Sequence, residues 1–420
     1  MEVSSPCLLE SLPPEILLQV VKQVTDPGCL NRLLCASPVI FRLFSHGHNS
    51  FEMVEAALSD VTHTTPAVRS LMETVGLFRS GSMPVWTLHN FLEDFVARSV
   101  MGTSRPMRPR ILPSLPKHVQ PAVLRSLLQT ASRIHDLTQH CLYFYLARLR
   151  GIQPRLRKPV DPSFSYVGGY GPDEALVPAW QRRCEGVPYP TPEMGPPSWA
   201  EEQIVVRAFW RLQLFFDVKR AARAGRLGGW SALDLEALGR MNVKTFLRLE
   251  HIRQSPVHEV LTVLDYLHEL GVDDSRLELP VTESRHAVEA RSIPYSAYYQ
   301  KSPAKLLKSA QRSAVVKRGG VQLDSPRAAT SEGMLMAYSI SISNDSPIKG
   351  IDVMFYRRLG FGIWDNRRLA ALGLANKPQD DGQNVITRQP VYPPECYWFQ
   401  WRSMLSSEVI EEIEKKYVTE

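Results

Sequence analysis

The sequence lacks any run of about 18 consecutive apolar residues, so no segment of it is expected to span a membrane. It also lacks a CxxC pair. Its six cysteines (Cys7, Cys29, Cys35, Cys141, Cys184 and Cys396) are scattered. A disulfide framework is far denser in cysteine, so these read as reduced thiols of an intracellular protein, in cytoplasm or nucleus. The opening MEVSSPCLLESLPPE carries neither a basic n-region nor an apolar h-region, so no secretory signal is expected there. GxGxxG, GxxxxGK with Ser or Thr, GxSxG and HExxH are all missing, which leaves phosphate-cradling, nucleophile-elbow and zincin chemistry without an anchor. No cofactor is expected.

Charge of one sign is scarce too. The 49 basic and 43 acidic residues leave a formal charge of +6. Lys301, Lys305, Lys308, Arg312, Lys317 and Arg318, with no acid among residues 301–318, account for all of it. A chain balanced everywhere but one segment has no extended basic face, so no nucleic-acid partner is expected. The basic segment reads as a solvated loop; a membrane-surface, nucleic-acid or nuclear-import patch is the alternative.

What is present suffices for a core: 44% of the 420 residues are apolar and 9% aromatic, which excludes a wholly disordered chain. At about 150 residues per domain, two or three domains are expected. Proline is in excess, 32 residues or about 8% against a usual ~5%. Long Pro-punctuated loops should therefore interrupt the regular structure.

Helical periodicity dominates. From Pro121 to Arg150, Val123, Leu124, Leu127, Leu128, Ala131, Ile134, Leu137, Cys141, Leu142, Tyr145 and Leu149 step by threes and fours along one helix face. Ser198-Trp199-Ala200-Glu201 fits a capping box opening a helix that stops near Gly225. Ser231 opens a shorter helix, and Ser255-Pro256 opens one that ends at Leu270-Gly271. Residues 407–417 form the last, with acids first and lysines at its end. Met336–Ser343 alternates at period two and reads as a short strand.

Residues 151–197 and 272–333 interrupt this pattern. The first reads as a Pro/Gly-rich surface connection and the second as a loosely ordered basic segment. Within the first, Val167-Gly168-Gly169-Tyr170-Gly171 reads as a flexible turn rather than an anion nest. The histidines offer no metal site: His135 and His140 lie about 140° apart on their helix, and His46 and His48 sit in a loop with too few further ligands. Trp180, Trp199, Trp210, Trp230, Trp364, Trp398 and Trp401 read as core or interface anchors. Tyr392, Tyr397, Trp398, Phe399 and Trp401 form an aromatic cluster and a candidate recognition surface.

Residues 8–44 carry the clearest functional signal. Pro13 and Pro14 stand where a helix begins and Glu15 follows in its first turn, with Ile16, Leu17, Val20, Val21 and Val24 forming an apolar stripe. Asp26-Pro27 opens a second helix bearing Leu30, Leu33 and Leu34. Ser37-Pro38 opens a third, bearing Val39, Ile40, Phe41, Leu43 and Phe44. Three helices this short cannot bury that surface among themselves, so part of it must dock on the rest of the chain or on another protein.

By these residues the segment resembles an F-box, the trihelical module that binds the Skp-type linker subunit of cullin–RING ubiquitin ligases. The resemblance implies that Leu12, Pro13, Ile16, Leu17, Val20 and Val21 face the linker. It implies that Leu30, Leu33 and Leu34 are shared between that interface and internal packing. Many F-boxes carry a basic residue and a Trp in the third helix, where this chain has Phe41-Arg42-Leu43-Phe44. The remainder is similar to uncharacterised F-box proteins of filamentous fungi, through the block Tyr356–Leu374. Physically, that block ends one helix near Gly360, restarts at Asp365 as N-cap, buries Leu369 and Leu372, and stops at Gly373.

The expected fold is mainly α: a trihelical F-box (8–50), a helical region (51–150), the Pro/Gly-rich connection (151–197), a helical region (198–271), the basic segment (272–333) and a C-terminal helical region (334–420). The expected function, implied by the resemblance, is a non-enzymatic substrate receptor of an SCF-type ligase. Its partners would be the Skp-type linker, cullin through it, and a protein client held by the C-terminal helical region. The alternative is a helical scaffold whose F-box-like start packs internally. An enzyme would need a convergent set of titratable groups, and the sequence offers none.

Overall fold

A side chain that accepts a backbone N–H, with proline at the first helical position, opens helix after helix in this chain. The computed structural model describes residues 8–59, 64–85, 87–97, 114–156, 187–191, 194–247, 255–272, 279, 333–342, 346, 348–374 and 400–418. After a 3-10 turn at Leu8–Ser11 come α1 (Pro14–Val21), α2 (Pro27–Ala36), α3 (Pro38–Ser45), α4 (His48–Ser59) and α5 (Pro66–Ser80). Asp26 accepts from the Gly28 N–H at 2.8 Å and Ser37 from the Ile40 N–H at 3.2 Å, so the second and third helices start where the sequence places them. α6 (Leu88–Phe91) runs on into a π-helical turn (Leu92–Ala97) and is followed by α7 (Pro121–Arg150).

Two-residue strands β1 (Arg155–Leu156) and β2 (Val187–Pro188) pair antiparallel, an element the sequence reading does not contain. Then come α8 (Trp199–Arg223), α9 (Ala232–Arg240), α10 (Val243–Leu247) and α11 (Ser255–Glu269). The C-terminal part holds α12 (Gly333–Ile342), α13 (Met354–Arg357), α14 (Asn366–Ala371) and α15 (Ser407–Val418). The mainly α expectation therefore holds. The capping box is formed as read: the Glu201 N–H donates to Ser198 Oγ at 3.2 Å and the Ser198 N–H to Glu201 Oε2 at 2.8 Å. Asp365 caps α14 by accepting the Arg368 N–H at 2.9 Å, and Gly373 follows it with φ +72°.

The strand expected over Met336–Ser343 is corrected. Residues up to Ile342 belong to α12, in which Met334, Ala337, Ile340 and Ser341 are buried while Tyr338 and Ile342 are exposed. Steps of three and four, masked by the alternating serines, mark the packed face, and burial follows the helical period.

The chain divides into two compact units: Met1–His140 with Val205–Ile252 and Leu267–Arg327, and Cys141–Ile204 with Arg253–Tyr266 and Ala328–Glu420. The N-terminal helices α1–α3 thus belong to a larger unit. In the first unit Phe91 meets Phe78, Phe95, Trp230 and Phe246, and the Trp230 Nε1–H donates to the Val85 carbonyl at 2.9 Å. In the second, Tyr356, Phe361 and Trp401 pack edge-on or tilted, and the Tyr356 hydroxyl donates to the Trp401 carbonyl at 2.8 Å. α8 is buried on almost every face, polar residues included, so it is a central helix rather than a surface one.

Candidate partner-binding site

α1 packs on α3 and α4, and α2 packs on the same two helices. Leu17, Val21, Leu30, Leu34, Ile40 and Phe44 fill the space between them. The cluster also leans on α7: a methyl added at Gly28 would touch Ser132 Cα at 3.7 Å, and the Arg125 guanidinium lies over the Phe41 ring at 4.6 Å. The first unit's own body therefore covers part of the surface that three short helices cannot bury alone.

The structure places the sequence-derived residues of α1 on two different sides of the helix. Ile16 is 51% and Val20 41% exposed, whereas Leu17 and Val21 are each 1% exposed. Leu17 and Val21 are corrected from partner-facing to core: a helix turns 100° per residue, so the pairs 16/20 and 17/21 point in different directions. Pro13 is exposed and Leu12 half-buried. Leu30 and Leu34 are buried and Leu33 half-buried, which spends most of α2's apolar surface internally. Leu8, not singled out from sequence, is 85% exposed. Ile16 and Val20 stand one turn apart on α1, so the helix's uncovered apolar surface is the row they form.

Polar contacts tie the end of α1 to α4 and cap the start of α2. Lys22, directly after α1, reaches Glu52 on α4 at 3.1 Å, and His48 meets the same carboxylate at 2.9 Å. The hydrogen bond from Lys22, helped by the charges of Lys22 and His48, holds the Glu52 carboxyl below its usual range. On α2, exposed Cys29 donates to Asp26 at 3.1 Å. Partial burial of the sulfur, with the Asp26 carboxylate beside it, pushes the thiol up to about 11. That makes it a poor nucleophile at neutral pH.

Two ion pairs with buried carboxylates were not expected from sequence. Asp217 on α8 receives Arg79 of α5 at 2.9 Å and the Gln213 amide at 2.8 Å, while Arg79 also donates to the Ser126 carbonyl and Thr130 Oγ1. Glu201, fully buried, receives both Arg368 Nε at 2.7 Å and Arg368 Nη2 at 2.8 Å. The same Arg368 donates to the carbonyls of Gly195 and Pro196. Each partner is satisfied by protein groups, which marks these clusters as structural.

Among the described residues, no group of three or more His, Cys, Asp or Glu could hold a metal ion, and no helix is long and apolar enough to cross a membrane. Trp210, Trp230, Trp364 and Trp401 are buried anchors, while Trp199 is 42% exposed. The glycine turn 167–171, the basic run 301–318 and the aromatics Tyr392, Tyr397, Trp398 and Phe399 lie outside the described residues.

Among the described residues the chain is mainly helical, and Ile16 with Val20 on α1, like Tyr338 with Ile342 on α12, form exposed apolar pairs one turn apart. No family model, no curated protein and no solved structure matches this chain.

Proposed function

We infer that the chain is a non-enzymatic adaptor that docks a Skp-type linker subunit, and cullin through it, on the outward row of α1. It acts in the cytoplasm or nucleus as the substrate receptor of an SCF-type ubiquitin ligase, with its C-terminal helical region offering a surface to a protein client. No bond is broken by the chain itself. Holding a client raises the effective concentration of its lysines near the ubiquitin-conjugating enzyme.

The observation that carries this reading is the two-sidedness of α1: Leu17 and Val21 anchor it, leaving Ile16 and Val20 in solvent on the same helix. Uncovered apolar side chains one turn apart on a helix offer a partner the kind of surface through which a helix face docks in a groove. Charged substitutions at exposed sites leave folding almost untouched, so Ile16 and Val20 are the positions to test. Co-expression of the full chain with a Skp-type linker should yield a complex, and Ile16→Asp with Val20→Asp should abolish copurification at unchanged helicity. Equal copurification overturns the assignment.

A helical scaffold is the second reading, supported by the burial of Leu17, Val21, Leu30 and Leu34 within the chain's own core. The two readings part at Ile16 and Val20, which a self-contained scaffold would not need uncovered.

A further inference from the structure

The 3-10 turn Leu8–Ser11 has no fully buried residue, and Leu9 is its one half-buried apolar side chain. Its own hydrogen bonds are local: Ser11 Oγ donates to the Leu8 carbonyl at 2.8 Å and the Leu12 N–H to the Leu9 carbonyl at 3.4 Å. Among the described residues it has one hydrogen bond to another element. The Ser37 hydroxyl donates to Glu10 Oε1.

Ser37 is the N-cap of α3, buried, and the same oxygen accepts the Ile40 N–H. A hydroxyl can donate once and accept twice, so both bonds are compatible on one atom. The contact also sets a carboxylate at the N-terminal end of α3, where the helix dipole favours negative charge. A charge-assisted bond of this kind is stronger than a neutral one.

We propose that Glu10 and Ser37 form a latch that holds the opening turn on α3 and so sets where the exposed Leu8 stands relative to the exposed row of Ile16 and Val20. Glu10 is a positioning residue: it contributes pre-ordering of the apolar side chains rather than contact area. A segment already ordered loses less entropy when a partner covers it. The latch rests on the proposed linker docking only in its second consequence, the effect on affinity.

The test is Glu10→Ala in the full chain, compared with the native sequence by amide hydrogen exchange, thermal unfolding and titration with purified Skp-type linker. Ser37→Ala is less informative because it also removes the cap of α3. Exchange at residues 9–12 should quicken about tenfold in Glu10→Ala, the loss of one charge-assisted bond, with α3 and the melting temperature unchanged. Linker affinity should fall several-fold. Unchanged exchange at residues 9–12 overturns the latch, and faster exchange with unaltered affinity overturns its role in placing Leu8 relative to the row. If neither protein binds linker, the docking reading fails, and the exchange data decide the latch alone.

Discussion

Ile16 and Leu17 are neighbours in the chain and lie on different sides of α1: one is half in solvent, the other sealed against α3 and α4. This orientation assigns them different costs. Leu17→Ala should lower unfolding stability by about 3 kcal/mol, the usual scale for a leucine truncated in a packed core. Ile16→Ala should stay within about 0.5 kcal/mol of the native chain. Chemical denaturation of the two variants checks the orientation without any partner present.

Arg368 and Glu201 give a pH-dependent prediction. Burial, with Asp365 adding to it and Arg368 opposing it, raises the Glu201 carboxyl above its usual range. A carboxyl raised in the folded state contributes stability that is complete below the unfolded value near ~4.3 and is lost as pH rises through the elevated one. Stability of the native chain relative to Glu201→Gln, which has no such titration, should therefore fall as pH rises above about 4. Arg368→Met leaves the buried carboxylate without its counterion and should cost about 3–5 kcal/mol at neutral pH. That penalty should shrink on acidification as Glu201 takes up a proton. Unfolding curves at several pH values read both effects.

Gly362 marks a close approach inside the second unit. An added Cβ would overlap Thr262 Oγ1 and lie 2.8 Å from the His258 carbonyl oxygen. The carbonyl belongs to α11 and cannot swing aside as a side chain would. Gly362→Ala should therefore destabilise by about 3 kcal/mol, at the upper end of overpacking costs. Gly239 has open space around its Cβ position, so Gly239→Ala is the control and should be neutral or mildly stabilising.

Cys29 should react slowly with iodoacetamide, because a thiol held up to about 11 is almost wholly protonated at pH 8. Its alkylation rate should climb about tenfold per pH unit up to that value. Asp26→Asn keeps an equally good N-cap for α2 while removing the carboxylate beside the sulfur. That variant should speed alkylation at pH 8 several-fold, as followed by mass spectrometry of the Cys29 peptide.

Helix starts were the most legible part of the fold, since Asp26, Ser37, Ser198, Ser231 and Asp365 each announce themselves by local chemistry. α12 was not, because serines at every second position imitate a strand while the packed residues step by three and four. The facing of α1 was half legible. Its stripe of 16, 17, 20 and 21 is equally apolar on two sides, and nothing local says which side the body covers. Arg79–Asp217 and Glu201–Arg368 join residues 138 and 167 positions apart, a separation for which the sequence carries no periodic signal.

Calorimetric titration of the purified full chain with purified Skp-type linker puts the exposed row of α1 to the most direct test. The native chain should bind with a negative heat-capacity change, the mark of apolar burial. The double variant Ile16→Asp, Val20→Asp should give no heat of binding while melting at the native temperature. Absence of binding by the native chain, or equal binding by the variant, would contradict the assignment of this row as the linker's docking surface.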